Sequence, residues 1–232
     1  MGIKELAITS EGQTFENPKA YATHLKRLQR YQRQMARKKP GSNNKKKSQM
    51  RLAKLHQHVA NVRKDTVHKM TYSLINSGKK VIAIESLKPK NMSKNHKLAS
   101  SILDSAFGMI KETLKYKCAW NGIRLIFAPQ YYASSKYCSN CGAKNNDLTL
   151  SDREWTCPSC NHNHDRDVNA ALNLKYFGEY VLDLSVSSTT VSSTGCNACG
   201  GERFQFLIEQ CSSMKQEFKS IKLAQASFNQ IC

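Results

Sequence analysis

Tyr137-Cys-Ser-Asn-Cys-Gly142, a polar loop, and then Trp155-Thr-Cys-Pro-Ser-Cys-Asn-His-Asn-His-Asp-Arg-Asp-Val-Asn-Ala-Ala-Leu-Asn-Leu174 form the stretch on which the rest of the chain is organised. Its two Cys-x-x-Cys pairs, Cys138/Cys141 and Cys157/Cys160, flank fifteen intervening residues, the spacing of a four-cysteine zinc site. A zinc ion held by four thiolates is closed and structural. It supplies folding free energy to a loop with little core of its own. Asp167 follows at the mouth of an apolar helical pattern, Val168 to Leu174. A metal-stapled loop therefore delivers a carboxylate to a helix start. Asp165, two residues earlier, suits the helix N-cap, a common role for Asp. Lys136, Lys144 and Arg153 on the loop are candidates to face a nucleic-acid strand, whereas Trp155 and Tyr137 are expected to pack the ribbon rather than stack on a base.

Outward from this stretch, charge is the next signal. The 232-residue chain has a formal net charge of +19. From Lys19 to Lys69 there are 16 Lys and Arg against one acid, Asp65, and the remaining 20 basic and 16 acidic residues nearly balance. Such concentration fits a polyanion-binding arm rather than a solvated surface of mixed sign. The same stretch carries helical periodicity: Leu25, Leu28, Tyr31 and Met35, a loop at Lys39 to Asn44, then Leu52, Leu55, Val59, Val62, Thr66, Met70 and Leu74 on one stripe. We expect a basic helical hairpin over residues 19–77, its apolar stripe forming the seam and its cations pointing outward. Candidate nucleic-acid contacts are Lys26, Arg27, Arg30, Arg33, Arg37, Lys45, Lys46, Lys47, Arg51 and Lys54.

Around the hairpin the pattern is α/β. Ile3 to Thr9 and Gln13 to Phe15 read as a strand pair turned at Glu11-Gly12. Val81 to Glu85 is a continuous apolar run, expected to be a strand buried on both faces and ending in a carboxylate. Glu85 is either a surface residue just past the strand or an acid compensated by a cation. Residues 88–97 read as a loop, 98–120 as one helix, and Ile123 to Ala128 as a further strand. The alternation of strand, helix and strand argues for an α/β core. If Glu85 and Asp167 converge, their repulsion calls for a divalent cation, and two magnesium ions clamped by acids are a known means of phosphodiester cleavage. From Glu179 the order fades, and residues 179–232 read as a flexible tail with an isolated Cys196/Cys199 pair. No apolar run approaches the roughly 18 residues of a membrane helix. The N-terminus lacks a signal-peptide pattern, and paired Cys-x-x-Cys spacing suggests a reducing, cytoplasmic setting.

Taken in order, Ile82-Ala-Ile-Glu-Ser-Leu87, Tyr137-Cys-Ser-Asn-Cys-Gly142, Cys157-Pro-Ser-Cys160 and Asp165-Arg-Asp-Val-Asn-Ala-Ala-Leu-Asn-Leu174 resemble the OrfB/TnpB-type proteins of insertion sequences. These are transposon-encoded, RNA-guided DNA endonucleases, long labelled transposases, with a RuvC-type, RNase H-like nuclease domain. The resemblance covers about residues 1–178 and implies that span as the nuclease domain, with the hairpin at 19–77 and the zinc ribbon at 134–164 as insertions. It implies catalytic roles for Glu85 and Asp167 with Mg²⁺, zinc ligation by Cys138, Cys141, Cys157 and Cys160, and DNA and guide RNA as partners. The family's first acid lies in a Gly-Ile-Asp-x-Gly-Ile-Lys motif. Here Gly2-Ile3-Lys4 continues that motif, and Met1 takes the position just after the aspartate. The expectation is an N-terminally truncated member, incomplete at its first strand, with little or no cleavage activity. Two other functions stay open at this stage: a nucleic-acid-binding protein without nuclease activity, and a zinc-ribbon interaction protein.

Overall fold

The computed structural model describes residues 1–130, 132–149 and 151–187. They divide into two compact units, the first Met1–Tyr132 and the second beginning at Ala133. The first unit opens with strands β1 (Glu5–Ile8) and β2 (Thr14–Glu16), paired antiparallel. The turn between them passes through Gly12 at φ 81°, a conformation that costs glycine nothing.

Helices α1 (Ala20–Ala36) and α2 (Asn43–Ile75) then form the hairpin. Ser42 starts α2 in the usual way, its hydroxyl accepting from the Lys45 N–H. Leu28, Leu55 and Val59 are buried along the seam. The apolar stripe of α2 does more than close that seam. Val67 and Met70, further along, join the core of the unit beside Leu6, Ile84, Ile102 and Ile110. The hairpin is thus one long helix rooted in the core, with a shorter helix laid against its outer half.

The start of α1 has an unusual support. Its own cap residue, Lys19, has a left-handed backbone (φ 44°) and no capping side chain. Instead Asp104, from a different helix, accepts hydrogen bonds from the Tyr21 N–H at 2.9 Å and the Ala22 N–H at 3.3 Å. Arg63 of α2 completes the site with an ion pair to the same carboxylate at 2.7 Å. Asp104 is almost fully buried, and a buried charge persists only when paired and hydrogen-bonded. Beside it, the Asn17 amide donates to the Ile3 carbonyl and the Ser105 hydroxyl.

Strand β3 (Val81–Glu85) pairs in parallel with β4 (Arg124–Ala128), Glu85 lying opposite Ala128. The crossover between them holds α3 (Pro89–Met92), α4 (His96–Asp104) and α5 (Phe107–Trp120). Three expectations are corrected here. The basic segment at 88–97 contains a short helix, permitted by Pro89 at its first position, where a missing N–H is no loss. The single helix expected over 98–120 breaks at Ser105-Ala106, where Ala106 turns left-handed at φ 52°, and this turn lets Asp104 face α1. Only Ile84 of β3 is buried, so the strand is half-covered rather than buried on both faces. Among the described residues its sheet has just two strands.

The second unit contains a hairpin of β5 (Glu154–Thr156) and β6 (Asn163–Asp165), then helix α6 (Arg166–Ser187). Helix α6 runs well past Glu179, where order was expected to fade. The rest of the expected tail, with Cys196 and Cys199, lies outside the described residues. No helix among the described residues is long and apolar enough to cross a membrane.

Candidate metal centre and carboxylate sites

The ribbon has a core of four buried residues, Cys138, Leu148, Trp155 and Cys157, packed by Ala143 and Cys160. That is too little to hold the loop alone. The sulfur atoms of Cys138, Cys141, Cys157 and Cys160 lie within 4.8 Å of one another. Two pairs are closer, Cys138 to Cys160 at 3.7 Å and Cys141 to Cys157 at 3.6 Å. A Zn–S bond of about 2.3 Å puts tetrahedral sulfurs about 3.8 Å apart. The thiol set therefore fits a tetrahedral zinc ion, and these four residues would hold it.

Their surroundings are unequal. Burial pushes the Cys138 thiol up to about 12, and it raises Cys141 as well. Cys160 is drawn down to about 6, chiefly because the His162 N–H donates to its sulfur. A bound zinc deprotonates its thiol ligands outright and overrides such differences. Two turns of the backbone shape the site: the Gly142 N–H donates to the Cys138 carbonyl and the Asn161 N–H to the Cys157 carbonyl.

His164 was not foreseen. Its Nε2 lies 3.0 Å from the Cys138 sulfur, in a buried position, where it can orient that ligand. It sits directly across the ladder from Trp155, their rings 4.9 Å apart. The alternation Asn161-His162-Asn163-His164 carried the signal, since alternate residues of a strand share a face. Trp155 is buried, as its packing role required.

The ribbon is tied to α6 by two asparagines that sequence reasoning missed. Asn169 accepts from the Ser139 N–H at 2.8 Å and donates to the Tyr137 carbonyl at 2.7 Å. Asn173 donates to the Ser134 and Tyr137 carbonyls. Both are buried. One turn apart on the helix, they grip the first knuckle and so fix where α6 begins relative to the cysteines.

Asp165 caps α6, its carboxylate accepting from the Asp167 and Val168 N–H groups, each at 2.9 Å. Asp167 lies in the first turn of α6, where a negative charge is favoured by the helix dipole. Its side chain is about one-third exposed and pairs with Arg153 at 2.7 Å. Arg153 is thus committed to a carboxylate, while Lys136 donates to the Asn146 carbonyl and Lys144 lies near the Tyr137 ring. Glu85 ends β3 in the other unit, 3.6 Å from the Met1 ammonium. Each of the two acids therefore has a cation on it.

The cations named as hairpin contacts are mostly exposed. Lys26, Arg27, Arg30 and Arg33 are exposed on α1, Arg37 at its C-cap, and Lys46, Lys47, Arg51 and Lys54 on α2, with Lys45 half-buried. Arg63 is the exception to outward-pointing cations, turned inward on Asp104.

Comparison with known proteins completes the description. Residues 1–96 match the OrfB IS605 family, described as a probable transposase, and residues 107–174 match the TNB domain of Cas12f1-like proteins. A Streptomyces pristinaespiralis protein named "Putative RNA-guided DNA endonuclease" is 40% identical over 173 residues, covering 75% of this chain and 42% of its own length. The chain belongs to the OrfB/TnpB-type family. A second OrfB/TnpB-type relative, Escherichia coli K12 "Putative RNA-guided DNA endonuclease InsQ", is 33% identical over 196 residues, 78% of this chain and 48% of its own. The fold is also similar to part of Cas12f1, seen in a cryo-EM structure of its complex with sgRNA and target DNA. That match has a TM-score of 0.50 at 18% identity, over 70% of this chain and 43% of the other. The OrfB/TnpB-type chain thus spans less than half the length of these proteins. The TNB match encloses all four cysteines, Asp165, Asp167, Asn169 and Asn173.

Proposed function

We propose that this chain is a nucleic-acid-binding protein built on a RuvC-type, RNase H-like nuclease core. Glu85 and Asp167 are its metal-site carboxylates, and the hairpin and ribbon bind DNA and a guide RNA. The observation that carries this reading is the order of parts in the second unit: a four-thiolate cluster, a two-stranded ribbon, and a helix whose first turn presents Asp167. Glu85, at the last position of the parallel strand β3, is the second carboxylate in this reading.

Both acids are hard oxygen donors, the donor type that Mg²⁺ prefers. A divalent ion held by these carboxylates would supply charge stabilisation to a phosphodiester displacement. The chain's own residues set the conditions for that binding. Arg153 must release Asp167 before that carboxylate is open to a cation. With two of the family's three acids in this sequence, the chain by itself holds its metal loosely, and small misplacements at a reacting centre already cost orders of magnitude in rate. We therefore expect the chain alone to bind nucleic acid and to cut it weakly or not at all.

The test is an Mg²⁺ or Mn²⁺ titration on single- and double-stranded DNA, run beside Asp167→Ala. Robust cutting lost in that variant would overturn the weak-nuclease reading while keeping the family assignment of Asp167. Binding is expected to fall steeply with salt, as phosphate contacts release counterions.

A further inference from the structure

The basic face of the hairpin is not uniform. Between α1 and α2 lies a cavity of about 320 Å³ lined by Arg27, Tyr31, Arg51, Lys54, Leu55 and His58. That volume is at the small end of ligand pockets, roughly 300 Å³ and above. Three of its lining residues are cations, and no Asp or Glu occurs between Glu16 and Asp65 to balance them. Like charges gathered in one recess repel, and a bound anion removes that cost.

The recess is also organised. The Arg27 Nε donates to the Tyr31 hydroxyl at 3.3 Å. The Arg27 and Arg30 guanidinium carbons lie 5.5 and 5.6 Å from the Tyr31 ring centre. Tyr31 therefore fixes the Arg27 fork. On the other side the His58 ring is stacked on His24, centroids 5.1 Å apart. The buried Nδ1 of His24 has no hydrogen-bond partner. A guanidinium held by an aromatic ring is pre-arranged for bidentate phosphate binding.

We propose that this recess is a discrete seat for one phosphate group, a backbone phosphate of the bound strand, with Arg27, Arg51 and Lys54 as its donors and Tyr31 as the residue positioning Arg27. The strand as ligand rests on the nucleic-acid reading above; the seat itself does not. A phosphate contact of this kind fixes register on the strand and reads no sequence.

Two arms on the full, zinc-loaded chain test the seat. In the first, inorganic phosphate is titrated at constant ionic strength and followed by the His58 ring signals in NMR. Saturable shifts are expected, weakened about tenfold in Arg51→Gln. Shifts that never saturate, or that Arg51→Gln leaves unchanged, overturn the seat. In the second arm, a single-stranded 12-nucleotide DNA probes Tyr31→Phe, which alters no charge. A discrete seat predicts about a fivefold loss of affinity, one hydrogen bond's worth, whereas a diffuse basic surface predicts none. If the oligonucleotide binds the wild type and Tyr31→Phe equally, and phosphate leaves His58 unmoved, the seat is wrong and the nucleic-acid reading stands. If phosphate saturates His58 but the oligonucleotide does not bind, the nucleic-acid reading falls, and the backbone phosphate falls with it as ligand.

Discussion

The zinc ribbon and the basic hairpin reach order by opposite means. The ribbon's core is four residues, two of them cysteines, and its geometry waits on a cation. The hairpin is held by ordinary burial, of Leu28 on α1 and of Leu55 and Val59 on α2, and by one carboxylate, Asp104, that joins three helices. The difference teaches that the two regions should fail independently and for unlike reasons: one by losing an ion, the other by losing a charge or a methyl group.

The sharpest way to break this comparison is chelation. Structural zinc contributes about 10–16 kcal/mol of apparent binding free energy in small domains. Removing it, or introducing Cys157→Ser, is expected to unfold the ribbon, and metal analysis of Cys157→Ser should show loss of the zinc that the four cysteines would hold. Amide exchange should show α2 protected throughout. Melting of the hairpin together with the ribbon would contradict the independence claimed for them.

Asp104→Ala probes the other side. It strands Arg63 and two helix N–H groups, a defect costing about 3–5 kcal/mol when a buried pair loses one member. Thermal melting of the first unit should shift strongly downward with zinc content unchanged. A loss no larger than that of an exposed carboxylate would show that the cap carries little of the hairpin's stability.

Asn169→Ala is expected to have a smaller effect than either. It removes the bonds to Ser139 and Tyr137 and leaves buried polar groups, a loss of about 1–3 kcal/mol. The expected readout is faster exchange of the first-knuckle amides and weaker zinc retention, without change in the hairpin.

Arg153→Ala has the smallest expected effect on stability, under about 1 kcal/mol, because its ion pair with Asp167 is half exposed. It should nevertheless raise the affinity of Asp167 for Mn²⁺, followed by paramagnetic broadening of nearby signals. Unchanged broadening would mean that Arg153 is no competitor for the metal.

How much of this was legible beforehand depended on how local each feature is. The cysteines were, because ligand spacing is written along the chain, and so was the cap at Asp165, two residues from the N–H groups it serves. The hairpin followed from periodicity. Asp104 was not legible, because its partners Tyr21 and Arg63 are 83 and 41 residues away, and the break beside it at Ala106 interrupts a helical pattern that reads as continuous. His164 needed the strand register that sets it against Trp155. The strand β3 misled because an apolar run reports hydrophobicity, not how many neighbours arrive to cover it. Helix α6 outlasted its expected end because its last turns lack the apolar periodicity by which a helix is read.

The remote cap at Asp104 also sets an order in time. Its carboxylate lies 83 residues beyond the Tyr21 N–H it receives. At about 5–20 residues per second of synthesis, about 4–17 s pass between the two leaving the decoding centre. Over that interval α1 lacks its cap, and until α2 has been made it also lacks the helix packed on it, and short uncapped helices are marginal in water. The start of the most cationic part of the nascent chain therefore stays uncapped until Asp104 is made, and it is available to polyanions before that support arrives.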